Sequence, residues 1–169
     1  MILWYSGTGN SRFAAEVIAA ETGEQPVSMN ALIKKGGRQE LSSAGAYVFV
    51  FPAHAWQPPI CVLEFIRHTV FRGSARAYFV MTAAGEVGDS EESLREVCEA
   101  KAFKFMGLGA VVMPENYAAR FAIAPPDENR AIVRAAVPKL REIGRAIAAS
   151  AQLDTDPALL GGQFKTHHL

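Results

Sequence analysis

The sequence predicts an α/β fold, a parallel sheet with helices on both faces. Three observations predict it. Strand-length apolar runs alternate with stretches of helical periodicity along most of the chain. Two of the runs, Ala46-Tyr47-Val48-Phe49-Val50-Phe51 and Ala77-Tyr78-Phe79-Val80-Met81-Thr82, lack polar alternation, as expected of strands buried on both faces. The chain also opens as strand, small polar loop and helix, the first half of a right-handed crossover.

The opening strand is Ile2-Leu3-Trp4-Tyr5, and it stops at Ser6-Gly7-Thr8-Gly9-Asn10-Ser11. Phe13, Ala14, Val17 and Ile18 then recur at helix spacing, giving a helix over about 11–22 with Gly23 as its stop. This order aims the loop's backbone N–H groups and a helix N-terminus at one point beyond the strand, which suits a phosphate. Gly7 and Gly9 let the backbone approach closely, and Ser6, Thr8, Asn10 and Ser11 add donors. No Lys follows the loop, which excludes the Lys-dependent triphosphate loop. Arg12 stands where the dinucleotide fingerprint needs its third Gly. Neutral donors around a terminal phosphate suit a mononucleotide.

Gln25 to Met29 reads as a short strand, and 34–43 as a polar surface connection. The strand at 46–51 ends in Pro52-Ala53-His54-Ala55-Trp56-Gln57-Pro58-Pro59, and Pro59 opens a helix that runs to about Val70. The strand at 77–82 closes in Ala83-Ala84-Gly85-Glu86-Val87-Gly88. Asp89 or Ser90 caps the next helix, striped by Leu94, Val97, Cys98 and Phe105. A strand over 108–113 leads into Pro114-Glu115-Asn116-Tyr117. Asp127 caps the last helix, striped by Ile132, Val133, Ala136, Leu140, Ile143 and Ile147, with a kink expected at Pro138. The pattern fades from 151 onward, so 1–150 reads as the domain and 151–169 as a tail or linker. Four irregular loops follow strands and therefore share the carboxyl rim of the sheet, where such folds bind ligands.

Half of the 169 residues are hydrophobic and the formal net charge is zero. That balance gives no reason to expect nucleic acid or an anionic membrane as a partner. No apolar run reaches bilayer-spanning length and the chain enters its first strand at once, so a cytoplasmic protein is expected. Cys61 and Cys98 fall on apolar helix faces and read as reduced core residues. His167 and His168 are adjacent, so their side chains diverge and no metal site is expected. No Ser–His–acid or Cys–His set points to a catalytic nucleophile. A phosphoryl-receiving signalling domain of similar topology would need acidic residues where Tyr5-Ser6 and Phe51-Pro52 stand.

With these loops in view the chain resembles the flavodoxins, and in detail the flavodoxin-like half of proteins that join such a module to a ferredoxin module. Ser6-Gly7-Thr8-Gly9-Asn10-Ser11 matches the FMN phosphate loop. Phe51-Pro52-Ala53-His54-Ala55-Trp56 stands where the loop under the flavin ring falls, and Thr82-Ala83-Ala84-Gly85-Glu86 matches the third flavin loop. Met113-Pro114-Glu115-Asn116-Tyr117 is similar to a stretch of the fused subgroup.

The resemblance implies a flavodoxin-like three-layer sandwich with a five-stranded parallel sheet in the order 2-1-3-4-5. It implies FMN as cofactor, electron transfer as function, and a redox partner protein, a ferredoxin module among the candidates. An FMN-dependent oxidoreductase acting on a quinone-like or other small acceptor is the alternative, and a cofactor-less interaction domain a third reading. The implied flavin contacts are Ser6 to Ser11, Pro52, Ala53, His54, Ala55, Trp56, Thr82, Ala83, Ala84, Gly85, Glu86 and Asn116. Trp56 would stack on the ring, and the amides around 83–86 would meet the pyrimidine oxygens. His54 either sits at the ring edge or packs on its own loop, Glu86 faces ring or solvent, and Asn116 and Tyr117 form either the site's outer edge or an ordinary turn. Flavodoxins that serve as carriers are acidic, unlike this chain, and no Cys-rich run for an iron–sulfur cluster follows Cys98.

Overall fold

Alternate side chains of the continuous apolar runs face opposite sides of a sheet, so both sides must be covered. The computed structural model, which describes residues 1–161, shows how. The strands β1 (Ile2–Trp4), β2 (Pro26–Ser28), β4 (Tyr47–Pro52), β6 (Arg76–Ala83) and β7 (Lys104–Val112) form one parallel sheet, ordered β2-β1-β4-β6-β7. Within β4, Val48 and Val50 face α1 (Asn10–Thr22) and α5 (Pro126–Ala148). Tyr47, Phe49 and Phe51 face α3 (Ile60–His68) and α4 (Ser90–Ala100). Each fully buried aromatic or aliphatic side chain contributes about 1.5–3 kcal/mol.

The order differs from the expected 2-1-3-4-5 because two strands were not foreseen. The polar stretch 34–43 holds the end of a short helix α2 (Met29–Lys35) and a strand β3 (Glu40–Ser43). The helix expected to reach Val70 stops at His68, and Val70 begins β5 (Val70–Gly73). β3 and β5 pair with each other in a separate parallel ribbon, so the next strands of the main sheet count as fourth, sixth and seventh. Tyr47 ties ribbon to sheet, its hydroxyl lying 2.7 Å from the Arg72 carbonyl and 3.0 Å from that of Leu41.

Other expectations are corrected in detail. Phe105 belongs to β7 rather than to the helical stripe, and α5 starts on Pro125-Pro126 with Asp127 in its first turn. Pro138 lies inside α5 on an exposed position, where the carbonyl it leaves unbonded can meet water. Cys98 is buried as expected, but Cys61 is exposed, because α3 turns Val62, Phe65 and Ile66 inward instead. The stretch 151–161 lies along the edge strand: Leu153 is buried, its N–H donates to Met106 O, and Thr155 Oγ1 donates to Leu108 O. His167 and His168 lie outside the described residues. Among the described residues, no helix is long and apolar enough to cross a membrane and no metal-binding cluster occurs.

Candidate functional site

Parallel strands release all their following loops at one edge, and here four of those loops enclose a cavity of about 540 Å³. That size lies within the range of small-molecule sites. The loop after β4 lines it with Pro52, Ala53, His54, Ala55 and Trp56, and the loop after β6 with Thr82, Ala83, Ala84, Gly85 and Glu86. From the loop after β1 only Asn10 reaches it. Pro114 to Tyr117, Arg120 and Phe121 complete the lining.

The loop after β1 is held open by its own side chains. Ser6 is fixed by Asn30, whose Oδ1 accepts from its N–H at 2.9 Å and whose Nδ2 donates to its carbonyl at 3.1 Å. Ser6 Oγ accepts from Gly9 N–H at 3.0 Å. Gly9, at φ 108°, then turns the chain into α1. The N–H groups of Gly7, Thr8, Asn10, Ser11 and Arg12 find no acceptor among the described residues. Several side chains expected as phosphate donors are engaged inside the protein. Ser11 Oγ forms a buried 2.8 Å hydrogen bond with Thr82 Oγ1, and Asn10 Nδ2 donates to Pro114 O at 3.0 Å. Thr8 Oγ1 accepts from Asn116 Nδ2 at 2.5 Å, which directs the Thr8 proton outward. Arg12 pairs with Glu16 and lies over the Trp4 ring, so it gives the loop no cation.

After β4 the chain makes a two-residue hairpin. His54 and Gln57 exchange both backbone hydrogen bonds, leaving Ala55 (φ 50°) and Trp56 (φ 63°) as the turn. Such primed turns favour Asn-Gly, because a Cβ is costly in the left-handed region. The strain is held in place by Gly88, where a Cβ would come within 2.8 Å of Trp56 Cβ, and by Ser90, whose Oγ lies 3.0 Å from Trp56 O. The turn leaves the Trp56 side chain 46% exposed at the cavity. His54 packs edge-on against Tyr5, at 6.4 Å and 71°. The Tyr5 phenol meets the Cys61 thiol, and that hydrogen bond, with burial, raises its pKa.

The loop after β6 leaves the N–H groups of Ala84, Gly85 and Glu86 without an acceptor among the described residues, whereas Val87 N–H donates to Leu159 O. Glu86 lies against Gly161. The segment after β7 forms a single turn, in which Arg120 and Phe121 N–H donate to Tyr117 O. Glu115 Oε1 caps it by accepting from Asn116 and Tyr117 N–H at 2.9 and 2.8 Å. Tyr117 and Phe121 meet edge-on at 6.1 Å, and both are about half exposed. Arg120 and Phe121 were not anticipated from the sequence. The available signal was an aromatic pair at i, i+4 flanking an Arg, set between prolines.

Two groups of unbonded amides thus border a cavity with apolar and aromatic walls. A flavin mononucleotide fits that donor set. The first loop would hold the anionic phosphate, the amides of 84–86 would meet ring carbonyls, and Trp56 and Tyr117 offer faces for a planar ring.

No protein-family model and no curated protein matches the chain. Among solved structures it is similar to the azoreductase AzrA, at 13% identity and a TM-score of 0.46, over 85% of this chain and 98% of that one. An NAD(P)H:quinone oxidoreductase from Methanothermobacter marburgensis matches at 12% identity and a TM-score of 0.48, over 86% and 93%. A rubredoxin oxygen:oxidoreductase from Desulfovibrio gigas matches at 17% and 0.44, over 88% of this chain but 36% of that one. Likenesses this distant carry no information on chemistry, which comes here from the residues of the rim.

Proposed function

We propose that this chain binds FMN at the carboxyl rim of its sheet and acts as a flavin-dependent oxidoreductase on a small acceptor. The observation that supports this is the pair of amide groups without an acceptor among the described residues, those of Gly7, Thr8 and Asn10 to Arg12 on the loop that meets the cavity at Asn10, and those of 84–86 in the cavity wall. When bound, FMN supplies the electron-transfer chemistry, and the protein's part is to hold it and shape what approaches. Gly7, Thr8, Asn10 and Ser11 would give backbone donors to the phosphate, with the Ser6 and Thr8 hydroxyls beside them. Ala84, Gly85 and Glu86 would orient the ring, and Pro52, Ala53 and Trp56 would keep water from it. His54 shapes the turn beneath.

A second reading, a carrier that passes electrons to a redox partner protein such as a ferredoxin module, is supported by the exposed Trp56 and Tyr117 at the mouth. The wall of Tyr117, Arg120 and Phe121 favours the enzyme, because a carrier docking to a protein needs no side-walled space for an organic acceptor.

The test is a titration of flavin-free protein with FMN and with riboflavin, followed by flavin fluorescence. FMN is expected to bind one per chain and more tightly than riboflavin. Thr8→Ala should weaken FMN by about 1–3 kcal/mol and riboflavin much less. Equal affinity for both flavins, or an unaffected Thr8→Ala variant, would remove the phosphate loop from the reading.

A further inference from the structure

We propose that Arg120 is an anion receptor in this cavity and that it selects a planar aromatic acceptor bearing a carboxylate or sulfonate. The inference rests on the flavin reading above and adds the chemical class of the second ligand.

Arg120 supplies the cavity lining with its one Lys or Arg among the described residues. Arg12, Arg67, Arg72, Arg95, Arg130 and Arg141 each meet a carboxylate, whereas Arg38, Arg76, Arg134 and Arg145, which lie outside the cavity lining, form no ion pair among the described residues. The Arg120 side chain has no hydrogen-bond or ion-pair partner among the described residues. Its guanidinium stands 5.9 Å from the centre of the Phe121 ring, and Phe121 packs edge-on against Tyr117. One wall therefore combines two half-exposed aromatic faces with an unneutralised cation.

The carboxylates nearby do not satisfy it. Glu115 Oε1 is turned back on the N–H groups of Asn116 and Tyr117, and Glu86, on the loop after β6, lies against Gly161. The phosphate of FMN would be held by amides on the loop after β1, which touches this cavity through Asn10 alone. A guanidinium prefers an anion that takes two parallel hydrogen bonds, which a planar carboxylate offers and a tetrahedral sulfonate offers through two of its three oxygens. Aromatic faces beside it favour a flat ligand carrying the anion. The wall is also fixed in place: Asn116 bonds Thr8 and Pro114 accepts from Asn10, so Arg120 is presented from a segment tied to the phosphate loop.

The experiment measures binding to FMN-loaded, oxidised protein, using naphthoquinone and naphthoquinone sulfonate as probes and the change in flavin absorbance as readout. The sulfonate is expected to bind about tenfold or more tighter than the neutral quinone. Arg120→Gln should abolish that preference, and Arg120→Lys should restore part of it, since charge returns without the planar fork. FMN and riboflavin titrations of Arg120→Gln run alongside. A loss of FMN affinity with riboflavin affinity held would assign Arg120 to the cofactor's phosphate and overturn the proposal. An unchanged sulfonate preference in Arg120→Gln, with FMN still bound, would overturn it while leaving the flavin reading intact. A chain that binds no flavin at all would sink both.

Discussion

The two ends of the sheet treat the same kinds of groups in opposite ways. At the amino ends of the strands, polar groups are met from within. The terminal ammonium donates to Ala46 O and Ser43 Oγ and pairs with Glu24. The Tyr78 hydroxyl donates to Ala151 O, and Lys101 Nζ donates to Thr69 and Arg67 carbonyls. At the carboxyl ends, by contrast, backbone amides in two loops meet no acceptor among the described residues, and aromatic rings stand half exposed. The difference marks the carboxyl end as the open face, where amides of mostly exposed residues converge beside a helix N-terminus and are left for water or a ligand to meet.

The largest expected effect comes from breaking the closed end. Gly107 holds φ 113°, and a Cβ there would lie 2.0 Å from Leu153 O, in backbone that cannot move away cheaply. Gly107→Ala should therefore lose about 3 kcal/mol or more of stability in urea unfolding, while FMN affinity of the folded protein is kept. Wild-type stability in that variant would show that 151–161 is only loosely laid on β7, and the contrast between the ends would weaken.

What was legible in the sequence follows the same division. Strands 47–52 and 76–83 were readable because double-sided burial forces long apolar runs. The loop at 6–11 was readable because a backbone anion site needs glycine and small polar residues in a row. The ribbon was not readable: Glu40-Leu41-Ser42-Ser43 has one apolar residue in four, and its pairing with Val70 to Gly73 is decided by tertiary contact rather than by local pattern. Helix α2 is seven residues long, too short to show a period. Phe105 fell on the helical stripe by coincidence of spacing, because Ala102 at φ 55° ends the helical path before it. The hydroxyls of Ser11 and Thr8 could be read as donors but not as already partnered, since Thr82 and Asn116 are about seventy and a hundred residues away. The wall of Tyr117, Arg120 and Phe121 lies in irregular chain, where no periodicity says which way a side chain faces.

An intermediate effect concerns the closed interior and pH. Burial pushes the Cys98 thiol from its ordinary value near 9 up to about 12. Between those values the unfolded chain releases this proton and the folded chain keeps it. The folded state thus binds more protons, and stability falls as pH rises from about 9 to about 12. Tyr47 and Tyr78, raised chiefly by burial, add to the same trend. Comparing wild type with Cys98→Ala cancels the tyrosines. The variant is less stable at neutral pH but should lose stability more slowly with alkalinity, by up to about 1.4 kcal/mol per pH unit. Parallel pH profiles would mean that the Cys98 site opens readily to water. Cys61, exposed on α3, should label with a thiol reagent in the native state while Cys98 stays protected.

The smallest expected effect probes the open end, at the turn that carries Trp56. Ala55 sits at φ 50° with its side chain exposed, so its Cβ adds left-handed strain and little packing. Glycine would relieve a cost of about 1 kcal/mol but would also loosen the unfolded chain, which offsets part of it. Ala55→Gly should therefore gain about 0.5 kcal/mol in urea unfolding. The same change frees the hairpin, so Trp56 is held less firmly and FMN should bind a few-fold more weakly in the fluorescence titration. Stability and binding moving in opposite directions would show that the strain is kept for the ligand. If both fell together, the turn would be at rest in its present form, and the open end would owe its shape to packing against Gly88 and Ser90 rather than to a stored cost.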